Sequence, residues 1–182
     1  KSDQKNLTDT QLAMLFRKMD WRYSSIISVM YYKYMKFNRP SSSTPEEYLP
    51  LATVMMNASN NIWNKARHSK LLDYAPGRVS LSGRAFRKLR TEGGYGLNIL
   101  APLEISELDL SHTAFFEFVQ LQGLHIKKIN LAGCKVNHID RARCLILKQL
   151  GVSTVVYDSR FLEEDEIIML KKHFSTEDIA PE

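Results

Sequence analysis

The side chains that could do chemistry are spread along this chain of 182 residues. The five histidines do not form a His-Glu-x-x-His motif, in which two imidazoles on one helix face would hold a zinc ion. No paired-carboxylate spacing suited to acid and base catalysis accompanies them. The sequence therefore predicts neither a metal site nor a catalytic histidine. The histidines are His68, His112, His125, His138 and His173.

Nucleophile and nucleotide motifs are also missing from the sequence. There is no Gly-x-Ser-x-Gly, and the glycine-rich stretch 90–96 lacks the Gly-Lys-Ser/Thr ending of a phosphate-binding loop. Cys134 and Cys144 lie outside any Cys-x-x-Cys motif, so neither a disulfide framework nor a zinc site is indicated. We therefore expect a protein that is not an enzyme and needs no cofactor.

Charge is unevenly distributed. Residues 1–100 hold 16 Lys/Arg against 7 Asp/Glu, whereas residues 101–182 hold 9 against 13. The densest basic stretch, 65–90, offers an alternative function, the binding of nucleic acid or another anionic surface. The opposite charges of the two halves could equally attract each other within the fold. The cations to which this binding is assigned are Lys65, Arg67, Lys70, Arg84, Arg87 and Arg90.

A repeat organises the second half of the chain. The segment Ile105–Phe115 shares its apolar skeleton with Ile126–Val136, 21 positions later. The shared pattern is apolar-x-x-apolar-x-apolar-x-x-(Thr/Cys)-x-apolar. Degenerate copies begin near Gly77 and at Val152, which gives four units.

This pattern resembles the leucine-rich repeat, in a short form similar to the 21-residue bacterial repeats. The resemblance implies that each unit supplies one strand to a parallel sheet and buries its apolar side chains in a shared core. It also implies that Thr113 and Cys134 bond to backbone in the turns. Arg160 departs from the pattern at the corresponding place in the fourth unit.

Helices are predicted on both sides of the repeats. Apolar residues at spacings of three and four indicate an amphipathic helix over 8–37, and Thr44-Pro45-Glu46-Glu47 is typical of the start of a second one. Asp140 is expected to cap a helix in the longer third unit. A last helix over 162–174 has acids first and bases last, which suits its dipole, and the polar tail after it is expected to fray.

The fold class predicted is α/β: an N-terminal helical hairpin capping a short repeat solenoid with a parallel sheet. Residues 1–75 are assigned to the helical cap and 76–182 to the solenoid with its C-terminal capping helix. No apolar run reaches the roughly 20 residues of a membrane span. Two cysteines and no signal peptide favour a reducing, cytoplasmic setting. The first residue, Lys1, suggests a piece of a larger protein.

The predicted function is a non-catalytic protein-protein interaction module, an accessory region of a larger protein that binds a partner through the concave repeat face or the helical cap. The sequence does not identify that partner. In leucine-rich repeats the outward side chains of the strands bind other proteins, and the resemblance implies the same use here. The alternative interpretation is that Glu107 and Lys128 simply pair with each other. The outward residues are Arg78, Ser80, Ser82, Glu107, Asp109, Ser111, Lys128, Asn130, Ala132, Thr154, Val156 and Asp158.

The nucleic-acid alternative makes a prediction about salt. If the basic stretch neutralises phosphates, binding to random duplex or single-stranded nucleic acid should weaken steeply between about 50 and 200 mM salt, because released counterions drive it. The double variant Arg84→Glu/Arg87→Glu should weaken it further. An electrophoretic mobility assay that detects no complex at low salt would remove this alternative.

Overall fold

The computed structural model describes residues 11, 44–59, 72–81, 97–115, 117–134, 136 and 138–180. Outside them lie the predicted first helix except Gln11, the end of the second, the basic side chains of 65–70 and 84–90, and the glycine-rich loop. Within them the protein is an α/β structure built on a mostly parallel sheet, as the sequence predicted. No helix in this part of the chain is long and apolar enough to cross a bilayer.

The sheet contains six strands that lie side by side in chain order. Strands β2 to β6 run parallel to one another, and β1 is antiparallel to β2. The strands are short, with three or four residues each. They are β1 (Asp73–Ala75), β2 (Arg78–Ser80), β3 (Glu107–Asp109), β4 (Lys128–Asn130), β5 (Thr154–Tyr157) and β6 (Ser175–Asp178).

One apolar residue from each of the strands β2 to β5 points into the core. Val79, Leu108, Ile129 and Val155 are paired in register and are at most 1% exposed. Because successive strand residues face opposite sides, the residues before and after them face outward. The three-residue strands therefore have a fixed register, since a shift of one residue would move the apolar residue to the outside.

The first strand was not predicted. Tyr74-Ala-Pro-Gly77 was expected to be a turn, and Pro76-Gly77 is one, but it joins β1 and β2 into a hairpin. Gly77 has φ +79, a conformation that glycine adopts without strain. The Gly77 carbonyl oxygen accepts the backbone N–H groups of Ser106 and Glu107. The turn thus fixes the position of β3 as well.

Helix α1 (Pro45–Ser59) begins as the sequence predicted. The Thr44 hydroxyl accepts the Glu47 N–H, and the Glu47 carboxylate accepts the Thr44 N–H, which together form a capping box. The helix packs on the 3₁₀ helix Asn98–Leu103, where the Tyr48 hydroxyl donates to the Ile99 carbonyl oxygen at 2.8 Å. Buried residues of α1 are Tyr48, Leu51, Ala52 and Met56, the last of which the predicted stripe omitted.

The segments that return from one strand to the next differ in length and conformation. The 21-residue unit returns through the 3₁₀ helix Phe118–Leu121, as expected of a connection too short for a full helical segment. The longer unit contains helix α2 (Arg141–Gln149), and the Asp140 side chain caps it by accepting the Arg143 N–H at 2.8 Å. Both predictions are confirmed.

The end of the chain differs from the prediction. Helix α3 (Glu164–His173) forms as expected, and Leu170 and Phe174 face the core with Ile167 partly buried. However, the prediction that the following tail frays was wrong, because Ser175–Asp178 forms β6 at the edge of the sheet. Its backbone continues the hydrogen bonding of β5, with Ser175 N–H donating to Ser153 and Ile179 N–H to Tyr157. The helix therefore precedes the last strand.

The core placement of the strand residues predicts unequal costs for two leucine truncations. Leu108 is 1% exposed, so Leu108→Ala should lower the free energy of unfolding by about 2–5 kcal/mol through the cavity it leaves. Leu145 is 52% exposed, and Leu145→Ala should cost less than about 0.5 kcal/mol. Urea unfolding measures both, and equal losses would contradict the register described here.

Candidate functional site

The strand register brings most of the predicted outward residues together on one face of the sheet. The first row across the strands is Arg78, Glu107, Lys128, Thr154 and Ser175. The second row is Ser80, Asp109, Asn130, Val156 and Glu177. We call these two rows together the concave face. Ser82 lies outside the described residues.

One ion pair crosses this face. The Lys128 ammonium lies 2.8 Å from both carboxylate oxygens of Glu177, so it links β4 to β6 across β5. Between them on β5, Val156 is only 5% exposed. The alternative in which Lys128 pairs with Glu107 is wrong, because Lys128 instead reaches two strands further along the sheet.

Glu107 and Arg78 remain available for contacts outside the chain. They are register partners on β3 and β2, and both are exposed. Among the described residues, neither takes part in an ion pair within 4 Å. The concave face therefore presents a cation and an anion side by side, each with its hydrogen-bonding capacity unused by these residues.

A shallow concavity of about 200 Å³ lies over the middle of the sheet. It is open to solvent, and its lining mixes two cations with three carboxylates and an amide. Such a surface lacks the enclosed, mainly apolar character of a small-molecule site. The lining residues are Arg78, Glu107, Leu108, Asp109, Lys128, Asn130, Val156 and Glu177.

Asp109 and Asn130 have a structural task beside their place on this face. In each, a side-chain oxygen accepts the backbone N–H of the residue two positions on, Ser111 at 2.9 Å and Ala132 at 3.0 Å. The second Asp109 oxygen accepts the Ser80 hydroxyl at 3.0 Å. The Asn130 amide nitrogen keeps two donors for the concavity, since only its oxygen is used in the turn.

Other predicted contact residues are too buried to meet a partner directly. Ser80 is 9%, Ser111 7% and Asp158 3% exposed, and Ala132 is fully covered. Thr154 is partly exposed. The exposed part of the concave face is therefore narrower than predicted and is centred on Arg78, Glu107 and Lys128.

Arg160, which departs from the repeat pattern, binds Asp158. Its N–H and Nε donate to one Asp158 oxygen and its terminal nitrogen to the other, at 3.1, 2.9 and 2.6 Å. These bonds hold the pKa of Asp158 below its usual range. After Asp158 the chain forms the 3₁₀ helix Ser159–Phe161.

Thr113 and Cys134 bond to turn backbone, as predicted. The Thr113 hydroxyl donates to the Leu110 carbonyl oxygen at 2.6 Å, and the Cys134 thiol donates to the same oxygen at 2.9 Å. Burial raises the pKa of the Cys134 thiol, and that of Cys144 on α2. Both cysteines are reduced and buried, so they are structural donors or packing groups.

Metal-binding and acid–base chemistry has little support in the described residues, which contain no group of three or more His, Cys, Asp or Glu placed to hold a metal. One histidine has carboxylate neighbours: His138 Nδ1 is 3.2 Å from Glu166, and Nε2 is 3.6 Å from Asp165. Glu166 accepts the backbone N–H groups of Ile139 and Glu163. The Glu166 carboxylate therefore joins α3 to the segment that precedes α2.

The sequence did not identify Glu177 as part of the site. It lies in the tail Ser-Thr-Glu-Asp, whose single β-branched residue gives no clear strand pattern. Only the pairing of β6 with β5 brings it within reach of Lys128.

Comparison of the chain with protein-family models, curated proteins and solved structures gave no match.

The Asp158 contacts predict a pH-dependent loss of stability. Because the native pKa of Asp158 is lowered, its charged form stabilises the fold above the ordinary aspartate pKa of about 3.9, and this stabilisation disappears as pH falls through the native pKa. Asp158→Asn should therefore lower the free energy of unfolding at pH 7. The difference from the unmodified protein should shrink at strongly acid pH.

Urea unfolding at neutral and acid pH measures this difference. Glu107→Gln removes an exposed carboxylate from the same sheet and serves as the control. A loss in Asp158→Asn that is the same at both pH values would show that the charge of Asp158 has no role.

Proposed function

We propose that this chain is a short leucine-rich-repeat solenoid that works as a non-catalytic protein-binding module. Its concave face is the binding surface, and Arg78, Glu107 and the Asn130 amide are the groups that meet the partner. The observation that carries this proposal is the exposed, adjacent placement of Arg78 and Glu107 on parallel strands, neither of them with an ion-pair partner among the described residues.

The repeat interpretation is supported by backbone bonds that recur from unit to unit. The Gly77 carbonyl accepts two successive N–H groups of the next strand, and so do those of Ser106 and Lys127. These acceptors lie 29 and 21 residues apart, as the apolar skeletons do. A bond that recurs at the period of the sequence repeat is typical of a solenoid, in which each unit contacts only its neighbours.

The helical cap is part of the same proposal. Helix α1 packs on the 3₁₀ helix Asn98–Leu103 and buries Tyr48, Leu51 and Met56. An array of repeats must have its open end covered, since no unit buries its apolar side alone. This requirement favours the division into a cap, 1–75, and a solenoid, 76–182, although β1 at the end of the cap range belongs to the sheet.

The chemistry of the concave face favours a protein as partner. A concavity of about 200 Å³ is small for a drug-sized ligand, and its charges are of both signs. Mixed charge opposes a polyanion, because Glu107 and Asp109 would repel phosphates that Arg78 attracts. A protein surface can match a cation and an anion held on neighbouring strands, and such complementarity gives specificity.

Peptide display on the whole chain can test the concave face. The affinity of the selected peptides should fall at least about ten-fold, equivalent to about 1.4 kcal/mol, on Glu107→Lys or on Asn130→Arg. Each substitution adds positive charge to a surface whose original charges the peptide complements. Gln149→Arg is the matched control for Asn130→Arg, since it adds the same single positive charge at an exposed position at the end of α2.

Surface plasmon resonance of selected peptides gives the affinities, and urea unfolding checks that each variant is folded. Peptides that lose affinity on Gln149→Arg but keep it on Glu107→Lys and Asn130→Arg would place the binding surface elsewhere and overturn this proposal.

A further inference from the structure

Three large apolar side chains on the segments between the strands are exposed to solvent. Val119 is 57% exposed, Leu145 52% and Ile168 59%. Each lies two positions before a leucine that is fully buried, on three consecutive return segments. Those leucines are Leu121, Leu147 and Leu170.

These equivalent positions place the exposed residues side by side. The 3₁₀ helix Phe118–Leu121 contacts α2, and α2 contacts α3. When neighbouring elements pack with equivalent residues inward, the residues at equivalent outward positions form a line. We call Val119, Leu145 and Ile168 the convex row. Leu145 and Ile168 are the members carried by full helices.

Cations flank the row. Arg141 and Lys148 lie four positions before and three after Leu145, so they share its helix face. On α3, Lys171 and Lys172 lie three and four positions after Ile168, whereas Glu164 and Asp165 lie four and three positions before it, so this helix face carries both signs of charge. Arg141, Lys148, Lys171 and Lys172 are all exposed, and none of the four has an ion-pair partner among the described residues.

The cations of the two helices act on a common region. Burial lowers the pKa of His173 first, and the positive charges of Lys148, Lys172 and Arg141 lower it further. The acids of α3, in contrast, are in its first turn, at the other end of the helix. Cations therefore outnumber acids around the convex row, with Lys148, Lys171 and Lys172 at the C-terminal ends of α2 and α3 and Arg141 at the start of α2.

We propose that the convex row docks on an anionic lipid surface, with Leu145 and Ile168 entering the headgroup region and the neighbouring lysines contacting acidic headgroups. The charges of the two surfaces are complementary. Apolar side chains with cations around them are the combination that binds peripheral proteins to acidic membranes. A protein partner needs a packed apolar centre, whereas this row offers one side chain per element.

Vesicle sedimentation of the full chain tests the proposal. The probes are phosphatidylcholine vesicles with and without about one third phosphatidylserine. The chain should sediment only with the acidic vesicles, and added salt should release it. Leu145→Ser/Ile168→Ser and, separately, Lys148→Glu/Lys172→Glu should each weaken binding at least about ten-fold.

Matched controls separate this surface from the rest of the molecule. Phe161→Ser removes an exposed apolar residue that lies outside the row and should bind like the unmodified chain. Asn130→Arg should also leave vesicle binding unchanged, so the concave proposal and this one can fail separately. Urea unfolding confirms that the variants are folded.

The proposal would be overturned if the chain did not sediment with acidic vesicles at low salt. It would also be overturned if the Leu145→Ser/Ile168→Ser variant sedimented as well as the unmodified chain. A further outcome would assign the row to an acidic protein partner instead. In that outcome a glutamate-rich amphipathic peptide binds through the convex row, and the vesicles do not bind.

Discussion

One carbonyl oxygen holds two successive turns of the structure together. The Leu110 oxygen accepts the Thr113 N–H and hydroxyl from its own turn and the Cys134 thiol from the next. A buried carbonyl without donors would cost free energy, so the spacing between the two turns is fixed by the need to supply them. Burial raises the pKa of Cys134, which keeps the thiol protonated and able to donate.

This shared acceptor aligns the strands that precede the turns. The stacking of the turns agrees with the register in which Glu107 pairs with Lys128 and Asp109 with Asn130. The same stacking brings His112 against Gly133, the equivalent residue one unit later. Both have positive φ, and a Cβ on Gly133 would lie 2.4 Å from the His112 ring. Only glycine fits at 133, because the imidazole fills that space.

The elements predicted from the sequence are those whose own residues demand burial or capping. Leu108 and Ile129 alternate with polar neighbours, and Thr44 and Asp140 begin helices through bonds to nearby backbone, so local sequence is sufficient. Strand β6 depends on β5 for its hydrogen bonds and shows no such pattern. The pairing of Lys128 with Glu177 joins residues 49 positions apart and depends on that strand, so sequence alone did not suggest it.

A repeat that aligns one buried residue per unit must also align whatever faces outward. On the concave side the outward groups are largely occupied with each other, Lys128 with Glu177 and Asp109 with Ser80, which leaves Arg78 and Glu107 exposed. On the return segments the aligned outward groups are aliphatic. The two surfaces share no residue, because the concave face is carried by the strands and the convex row by the segments between them. The two proposed contacts therefore use different parts of the chain.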